Sequence, residues 1–187
     1  MSKTYAIIIN GSGAHGKNSF VDFFREEFCK DPKNNVLEYS TVGKIKQVCK
    51  TAWGVDFRED KNDAKRNLWH EIKMAIDKYG DITNKEACDV VSSVDKSTKH
   101  ANGKNVIFIM CREPEQIEKL TNKLSEIGVA DNIMTMVIIR DGQEAPNCDV
   151  DSLDNIMKYD YDYAITAETL EELQIKAVAF SILLADF

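Results

Sequence analysis

A three-layer α/β domain built on a mostly parallel sheet of five strands is the fold this sequence predicts, and three observations carry that expectation. Continuous apolar runs at YAIIIN (5–10), NVIFIM (105–110) and MTMVII (134–139) suit central strands covered on both faces. Segments with apolar residues at helical spacing lie between the runs, which implies crossover connections and helices on both sides of the sheet. A glycine turn then joins the first run directly to the first helical segment.

The elements follow in order. After strand 5–10 and the glycines, Phe20, Val21, Phe24 and Phe28 recur at helical spacing through FVDFFREEFCK. The turn-rich DPKNN leads into a short strand, VLEYS at 36–40, and Ile45, Val48 and Ala52 mark a short helix. Residues 54–60 read as loop. Leu68, Ile72, Ile76 and Tyr79 line one face of a longer helix stopped by Gly80, and Thr83 with Glu86 forms a capping-box pattern for another helix reaching about His100. Pro114 follows strand 105–110 at a natural first-turn position for a helix carrying Ile117, Leu120, Leu124 and Ile127 before Gly128. Strand 134–139, an irregular polar stretch at 140–158, a last strand YDYAI at 161–165 and a helix from the Thr169/Glu172 cap to about Leu184 complete the chain. One domain over 1–187 is expected, with a helical insertion at about 41–103 and a short lid-like loop at about 140–158.

At 187 residues the chain is long enough to bury a continuous core, and its 43% hydrophobic and 29% charged residues with three prolines argue against disorder. The net charge of −7 argues against a broad nucleic-acid footprint, since phosphate contacts need a basic surface; a local basic pocket for one nucleotide remains compatible with it. The apolar runs are too short to span a bilayer, and MSKTYAIII leads into a glycine turn and reads as a first strand, so a cytoplasmic setting without membrane contact is expected. Five cysteines, at 29, 49, 88, 111 and 148, form no C-x-x-C pair, and His15, His70 and His100 are scattered, which argues against structural zinc and for reduced, mostly buried thiols.

Residues 11–18, GSGAHGKN, match the phosphate loop G-x-x-x-x-G-K and depart at the last position, where Asn18 stands and Ser19 follows. Glycines let successive N–H groups converge on a phosphate, the helix N-terminus adds partial positive charge, and Lys17 bridges the outer phosphates. Gly11, Ser12, Gly13, Ala14, His15, Gly16, Lys17, Asn18 and Ser19 are therefore the expected ATP-binding residues, with His15 at the tip most simply an exposed, non-catalytic histidine. Gly11, Gly13 and Gly16 also satisfy G-x-G-x-x-G, with Glu38 about where a ribose-binding acid would stand, so an NAD(P)-dependent oxidoreductase is the rival reading. Against it, Lys17 has a defined role in a phosphate loop and none in the dinucleotide fold. Ligands of such sheets collect at the strands' carboxyl ends, which places Asn10, Ser40, Cys111, Arg112, Arg140 and Thr166 around one crevice.

With INGSGAHGKNSFVDFF, KNDAKRNL, CREPEQIEKL and YDYDYAITAETLEEL, the chain resembles, over nearly its whole length, phage and bacterial nucleotide-kinase-like P-loop proteins of the adenylate-kinase-like or deoxynucleoside monophosphate kinase-like kind. The resemblance implies a P-loop NTPase-type domain, ATP and magnesium (Mg2+) as cofactors, and a small-molecule acceptor such as a nucleoside monophosphate. Such relatives commonly carry GKDT, so Asn18 and Ser19 are the candidate magnesium ligands in place of a carboxylate. Arg112 matches the arginine that grips the acceptor phosphate, and Arg140 the start of a lid facing the transferring group. The stretch 141–154 departs from this pattern, holding Asp141, Glu144, Asp149, Asp151 and Asp154 but no Lys or Arg, which leaves Lys65 and Arg66 to supply charge. The acid that would order magnesium after the third strand is missing, with Glu113 the nearest candidate.

The expected function is phosphoryl transfer by positioning and electrostatics, with Lys17, Arg112 and Arg140 catalytic. Ser40, Lys44, Lys65, Arg66 and Arg112 would bind the acceptor and Thr166, beside Ala167, would border adenine. Trp53, Phe57 and Trp69 offer a base pocket, with at least one expected in the core. A nucleotide-binding module without efficient transfer is the alternative.

Overall fold

The computed structural model describes residues 3–54, 63–98, 102–128, 132–142 and 153–186, with backbone alone at Asp63, Arg66, Leu153 and Asp154. Its first strand, β1 (Lys3–Asn10), is buried from Thr4 onward because both faces are covered, as its unbroken apolar run requires. There follow α1 (Lys17–Phe28), β2 (Asn35–Ser40), α2 (Gly43–Trp53), α3 (Asp63–Gly80), α4 (Ile82–Thr98), β3 (Lys104–Met110), α5 (Pro114–Glu126), β4 (Ile133–Arg140), the short α6 (Leu153–Ile156), β5 (Tyr163–Ala167) and α7 (Leu170–Asp186). The five strands form one sheet in the order β2-β3-β1-β4-β5, and every pairing is parallel.

Period-two alternation sorts the strand side chains into two layers. Tyr5, Ile7, Ile9, Val36, Val106 and Phe108 pack with Phe20 and Phe24 of α1 and Leu173 and Phe180 of α7. Ala6, Ile8, Ile107 and Ile109 meet Val91 of α4 and Ile117, Leu120 and Leu124 of α5 on the other face. The expected three-layer α/β architecture is therefore present.

This order directs the site. The chain leaves β1 through α1 toward β2, whereas it leaves neighbouring β3 through α5 toward β4. The connections diverge between β1 and β3, so a crevice opens at their carboxyl ends. The order also weakens the dinucleotide reading, because β3 lies between β1 and β2 and sets Glu38 two strands away from the glycine loop. In the dinucleotide order the second strand is the direct neighbour of the first.

Several boundaries and faces differ from the sequence expectation. The last strand begins at Tyr163 rather than residue 161. On α3, Tyr79 is 90% exposed and Leu68 is partly exposed, while Trp69 and Lys73 are buried and Ile72 and Ile76 are partly buried. The inward face is rotated because it contains a lysine, which apolar periodicity discards. On α2 the buried residues are Ile45 and Cys49, with Val48 exposed.

The Thr83/Glu86 capping box does not form. Thr83 lies within α4, and Asp77 of the preceding helix accepts both its backbone N–H (3.0 Å) and its hydroxyl (2.8 Å), taking over the capping task. Asp81 rather than Gly80 takes the left-handed conformation between α3 and α4, at φ 52°. The α7 cap does form: Thr169 Oγ1 accepts from Glu172 N at 3.1 Å and the Glu172 carboxylate from Glu168 N at 2.9 Å. Cys49, Cys88 and Cys111 are buried, as expected of most thiols, and Cys29 is partly so. Among the described residues no helix is long and apolar enough to cross a membrane. Phe57, His100, Cys148, Glu144, Asp149 and Asp151 lie outside the described residues, as do the side chains of Arg66 and Asp154.

Gly103 closes the opposite end of the sheet, its carbonyl accepting from Lys3 N at 3.2 Å while the neighbouring Lys104 N donates to Asn34 Oδ1 at 3.1 Å. A Cβ on Gly103 would run into the backbone carbonyl of Lys33. Gly103→Ala should therefore cost about 1–3 kcal/mol, the usual range for overpacking, measured as a lowered urea midpoint with unchanged m.

Candidate functional site

The glycine loop is held from three sides. Buried Asn10, the last residue of β1, accepts Gly11 N at its Oδ1 (2.7 Å) and donates from Nδ2 to the Arg112 carbonyl (2.9 Å) and to Tyr161 Oη (2.7 Å). Gly11 has φ 145°, and a Cβ there would sit 2.5 Å from the Ile138 carbonyl oxygen of β4, so only glycine fits. His15 is fully buried, contrary to the exposed position expected: its Nδ1 accepts Arg140 N at 3.2 Å, pinning the loop to the end of β4. That bond requires the proton of the neutral ring to reside on Nε2.

Gly16, at φ 87°, turns the chain into α1, whose N-terminus has no side-chain cap and no acidic residue in its first turn. The amide groups and partial positive charge of that helix end are left for an anion. The Ser12 hydroxyl is buried and, among the described residues, has no hydrogen-bond partner. Lys17 folds back to donate to the carbonyls of Gly11 and, at 2.8 Å, Ser12. The turn thus holds an orphaned buried hydroxyl, an uncapped helix start and an ammonium within a few residues, and these fit phosphate oxygens. Ala14 adopts φ 67°, a left-handed conformation that costs a residue with a Cβ.

This loop forms one wall of a cleft of about 900 Å³. β2 and α2 contribute Glu38, Ser40, Gly43, Lys46 and Lys50; α3 contributes Trp69; the β3 end adds Arg112 and Glu113, and β4 adds Arg140. Lys46 and Lys50 stand one turn apart on the same helix face, and Lys46 Nζ lies 4.3 Å from the Trp69 ring centroid, within cation–π range. Among the described residues, five basic side chains line the cleft, Lys17, Lys46, Lys50, Arg112 and Arg140, with two acids, Glu38 and Glu113. A chain of net charge −7 has gathered positive charge at this one place, which focuses the field on anionic ligands.

The two acids differ in their surroundings. Glu113 is set in a buried ionic group, with Lys73 Nζ 3.0 Å from its Oε2 and His70 Nδ1 3.3 Å from its Oε1. Lys73 is fully buried and also pairs with Asp77 at 3.0 Å. Burial would raise the Glu113 pKa, but the His70 hydrogen bond and the Lys73 charge outweigh it and hold the carboxyl at about 2. Burial pulls Lys73 down, and the Glu113 charge, then Cys111 and Asp77, more than compensate, leaving the ammonium above its ordinary value. Glu38, exposed on the edge strand, lies 3.8 Å from Arg25, which is closer to Asp22, at 2.5 Å. Burial pushes the Glu38 carboxyl up, against the opposing pull of Arg25.

The structure brings Ser12, Gly13, Ala14, Gly16, Lys17, Asn18, Ser19, Ser40, Arg112 and Arg140 together around the cleft. It does not bring Lys44 there: that side chain points away to pair with Glu86. Lys65 is half-buried on α3 outside the lining, and Thr166 is exposed on β5, its carbonyl accepting from Lys176 Nζ at 2.5 Å. Trp53 is 62% exposed, whereas Trp69 lines the cleft. Sequence reasoning missed Lys46, Lys50 and Lys73. The first two are spaced i, i+4 just after a strand's carboxyl end, a signal available in KIKQVCK; Lys73 is marked locally by Asp77 at i+4, a pairing equally common on solvated helix faces.

No family model matches the chain, and no curated protein matches it. Among solved structures it is similar to the tunicamycin resistance protein of Deinococcus radiodurans, with 15% sequence identity over 95% of this chain and 95% of that one and a TM-score of 0.49.

Replacing Ala14 by glycine should raise stability by up to about 1 kcal/mol, because the left-handed strain exceeds the extra entropy of glycine in the unfolded chain; the thermal midpoint reads it. Glu113 titrates below its ordinary 4.5, so its stabilisation is complete above about pH 4.5 and is lost as pH falls through about 2. Denaturant titrations over that window should show wild type losing stability more steeply than Glu113→Gln, by up to about 1.4 kcal/mol per pH unit.

Proposed function

We propose that this protein is a phosphotransferase that holds the phosphates of ATP on the loop Gly11–Ser19 and passes the terminal phosphoryl group to a small anionic acceptor in the same cleft. The observation that carries this reading is the pairing, among the described residues, of an uncapped, glycine-turned helix start, with its buried unpartnered Ser12 hydroxyl, and five cleft-lining cations in an acidic chain. Lys17 leaves the loop carbonyls for the outer phosphates. Arg140, whose Nε is buried and without a partner among the described residues, is placed to meet charge that develops on the transferring group.

Magnesium fits as an ion that arrives with the phosphates. Among the described residues there is no group of three or more His, Cys, Asp or Glu side chains able to hold a metal, and Glu113 is committed to Lys73 and His70. Asn18 and Ser19 then offer the neutral oxygens for an ion that keeps most of its waters, and its charge would offset that of the phosphates. Arg112, Lys46 and Lys50 hold the anionic acceptor, with nucleoside monophosphates one such class, and the α2–α4 segment shapes its pocket. Arginine's fork suits bidentate grip of an oxyanion.

The second reading, a nucleotide-binding module with little transfer, is favoured by the absence, among the described residues of the cleft, of a carboxylate beside Asn18 free to order the metal. The measurement is magnesium-dependent ADP release from ATP across ribo- and deoxyribonucleoside monophosphates and other small phosphorylated or carboxylated acceptors. Lys17→Ala should abolish ATP binding and release together. Arg112→Ala should leave ATP binding within about threefold and cut acceptor-stimulated release by tenfold or more, as expected for a lost charge-assisted contact. ATP binding through Lys17 with no stimulation by any acceptor would favour the module.

A further inference from the structure

The sequence offers Trp69 as a wall for a nucleobase; the structure gives its ring a different neighbour. Among the described residues Trp69 is the one aromatic side chain that lines the cleft, and it is only 6% exposed. Ile45 and Cys49 of α2 and Ile72 and Ile76 of α3 pack around it, and Lys46 Nζ lies 4.3 Å from the ring centroid. A ring covered in this way leaves little face for a base to stack on, whereas its negative π face suits an ammonium.

The ring is itself held in place. Trp69 and Lys73 stand one turn apart on the inward face of α3, and Lys73 Nζ pairs with Glu113 at 3.0 Å and with Asp77 at 3.0 Å. That face is thereby tied to the residue directly after Arg112. Buried Thr41, just ahead of α2, donates from Oγ1 to the Met110 carbonyl at 3.1 Å and fastens the start of α2 to the end of β3. Lys46 and Arg112 therefore belong to one frame, in which α3 supplies the ring beside the first and the ion pair beside the second.

We infer that Trp69 is a positioning residue of the acceptor site: its π face fixes the Lys46 ammonium, which grips the anionic group of the acceptor together with the Arg112 guanidinium. This inference rests on the transferase reading given above and deepens it. A lysine side chain is long and flexible, and holding it before the acceptor arrives removes an ordering cost that would otherwise weaken binding. Lys46 is partly buried where Lys50 is exposed, so the ring holds Lys46 with less competition from water. The ammonium keeps the ring on one side and can meet an oxyanion on the other. What Trp69 contributes to recognition is then charge placed by an aromatic face, and the acceptor is selected here by its anionic group rather than by a base stacked on the indole.

The experiment uses the full chain with magnesium, ATP and an acceptor that stimulates ADP release in the series given above. Acceptor KM, kcat and ATP affinity are measured for Trp69→Leu, Lys46→Met and the two combined. Trp69→Leu should raise the acceptor KM about three- to tenfold, the effect of releasing one long side chain, with kcat and ATP affinity within about twofold of wild type. Lys46→Met should raise KM at least as far, and adding Trp69→Leu to it should change KM by less than about twofold, because a ring that acts through Lys46 has nothing left to hold. A second version keeps the packing intact. The chain holds two tryptophans, and Trp53 is exposed and outside the cleft lining, so Trp53→Phe leaves Trp69 alone to be replaced biosynthetically by fluorinated tryptophans. These keep the shape and weaken the π face, and the acceptor KM should rise stepwise with the number of fluorines. Additive effects in the double variant, or a KM indifferent to fluorination, overturn the inference while transfer itself stands. ATP bound with no release stimulated by any acceptor overturns the transferase reading and this inference with it.

Discussion

The closeness of β1 to β4 at the end of the sheet governs the rest of the site. At Gly11 the backbone runs so near the Ile138 carbonyl that no side chain is admitted, and from there the loop can only rise over the strand ends and turn back at Gly16. Asn10 and His15 fix the two sides of that turn, the first to Arg112 and Tyr161, the second to Arg140. The cations after β3 and β4 are thereby registered against the loop through short backbone hydrogen bonds. Such bonds orient a site more rigidly than contacts between long side chains would.

Charge is distributed with the same economy. An acidic exterior discourages polyanions of any length, while the cleft concentrates cations around a volume suited to small ligands. The buried group of Lys73, Glu113, Asp77 and His70 joins α3 to the β3–α5 turn, and Asp77 carries the connection into the first turn of α4 through Thr83. Breaking a group like this leaves an uncompensated buried charge, so the helices beside the cleft hold together as a unit.

Sequence periodicity was sufficient for the sheet. Fully apolar strands such as Tyr5–Ile9, followed by the glycine loop, and Val106–Ile109, followed shortly by Pro114, have no competing reading, and the loop motif fixes its own geometry. Legibility failed where burial was polar. Lys73 sits on the inward face of α3 because Glu113, distant in sequence, joins Asp77 one turn on in neutralising it, and His15 is buried because a backbone amide of β4 arrives beside it. The aim of Lys44 away from the cleft, and of Lys46 and Lys50 into it, depends on the rotation of α2 about its axis, set by Ile45 and Cys49 against Trp69. No local propensity contains these pairings, because each is decided by an element tens of residues away.

Cys111 occupies a telling position in this arrangement. It is fully buried at the mouth of β3, its amide bonded to the Ile9 carbonyl and its thiol 4.0 Å from Glu113, and burial pushes that thiol up to about 12. Almost none of it is thiolate at neutral pH, so a maleimide or iodoacetamide reagent reaches it only when the α3 side separates from the strand ends. The molecule therefore carries its own clock for that local breathing: the alkylation rate of this one sulfur in excess of the rate of global unfolding reports how often the wall of the cleft opens.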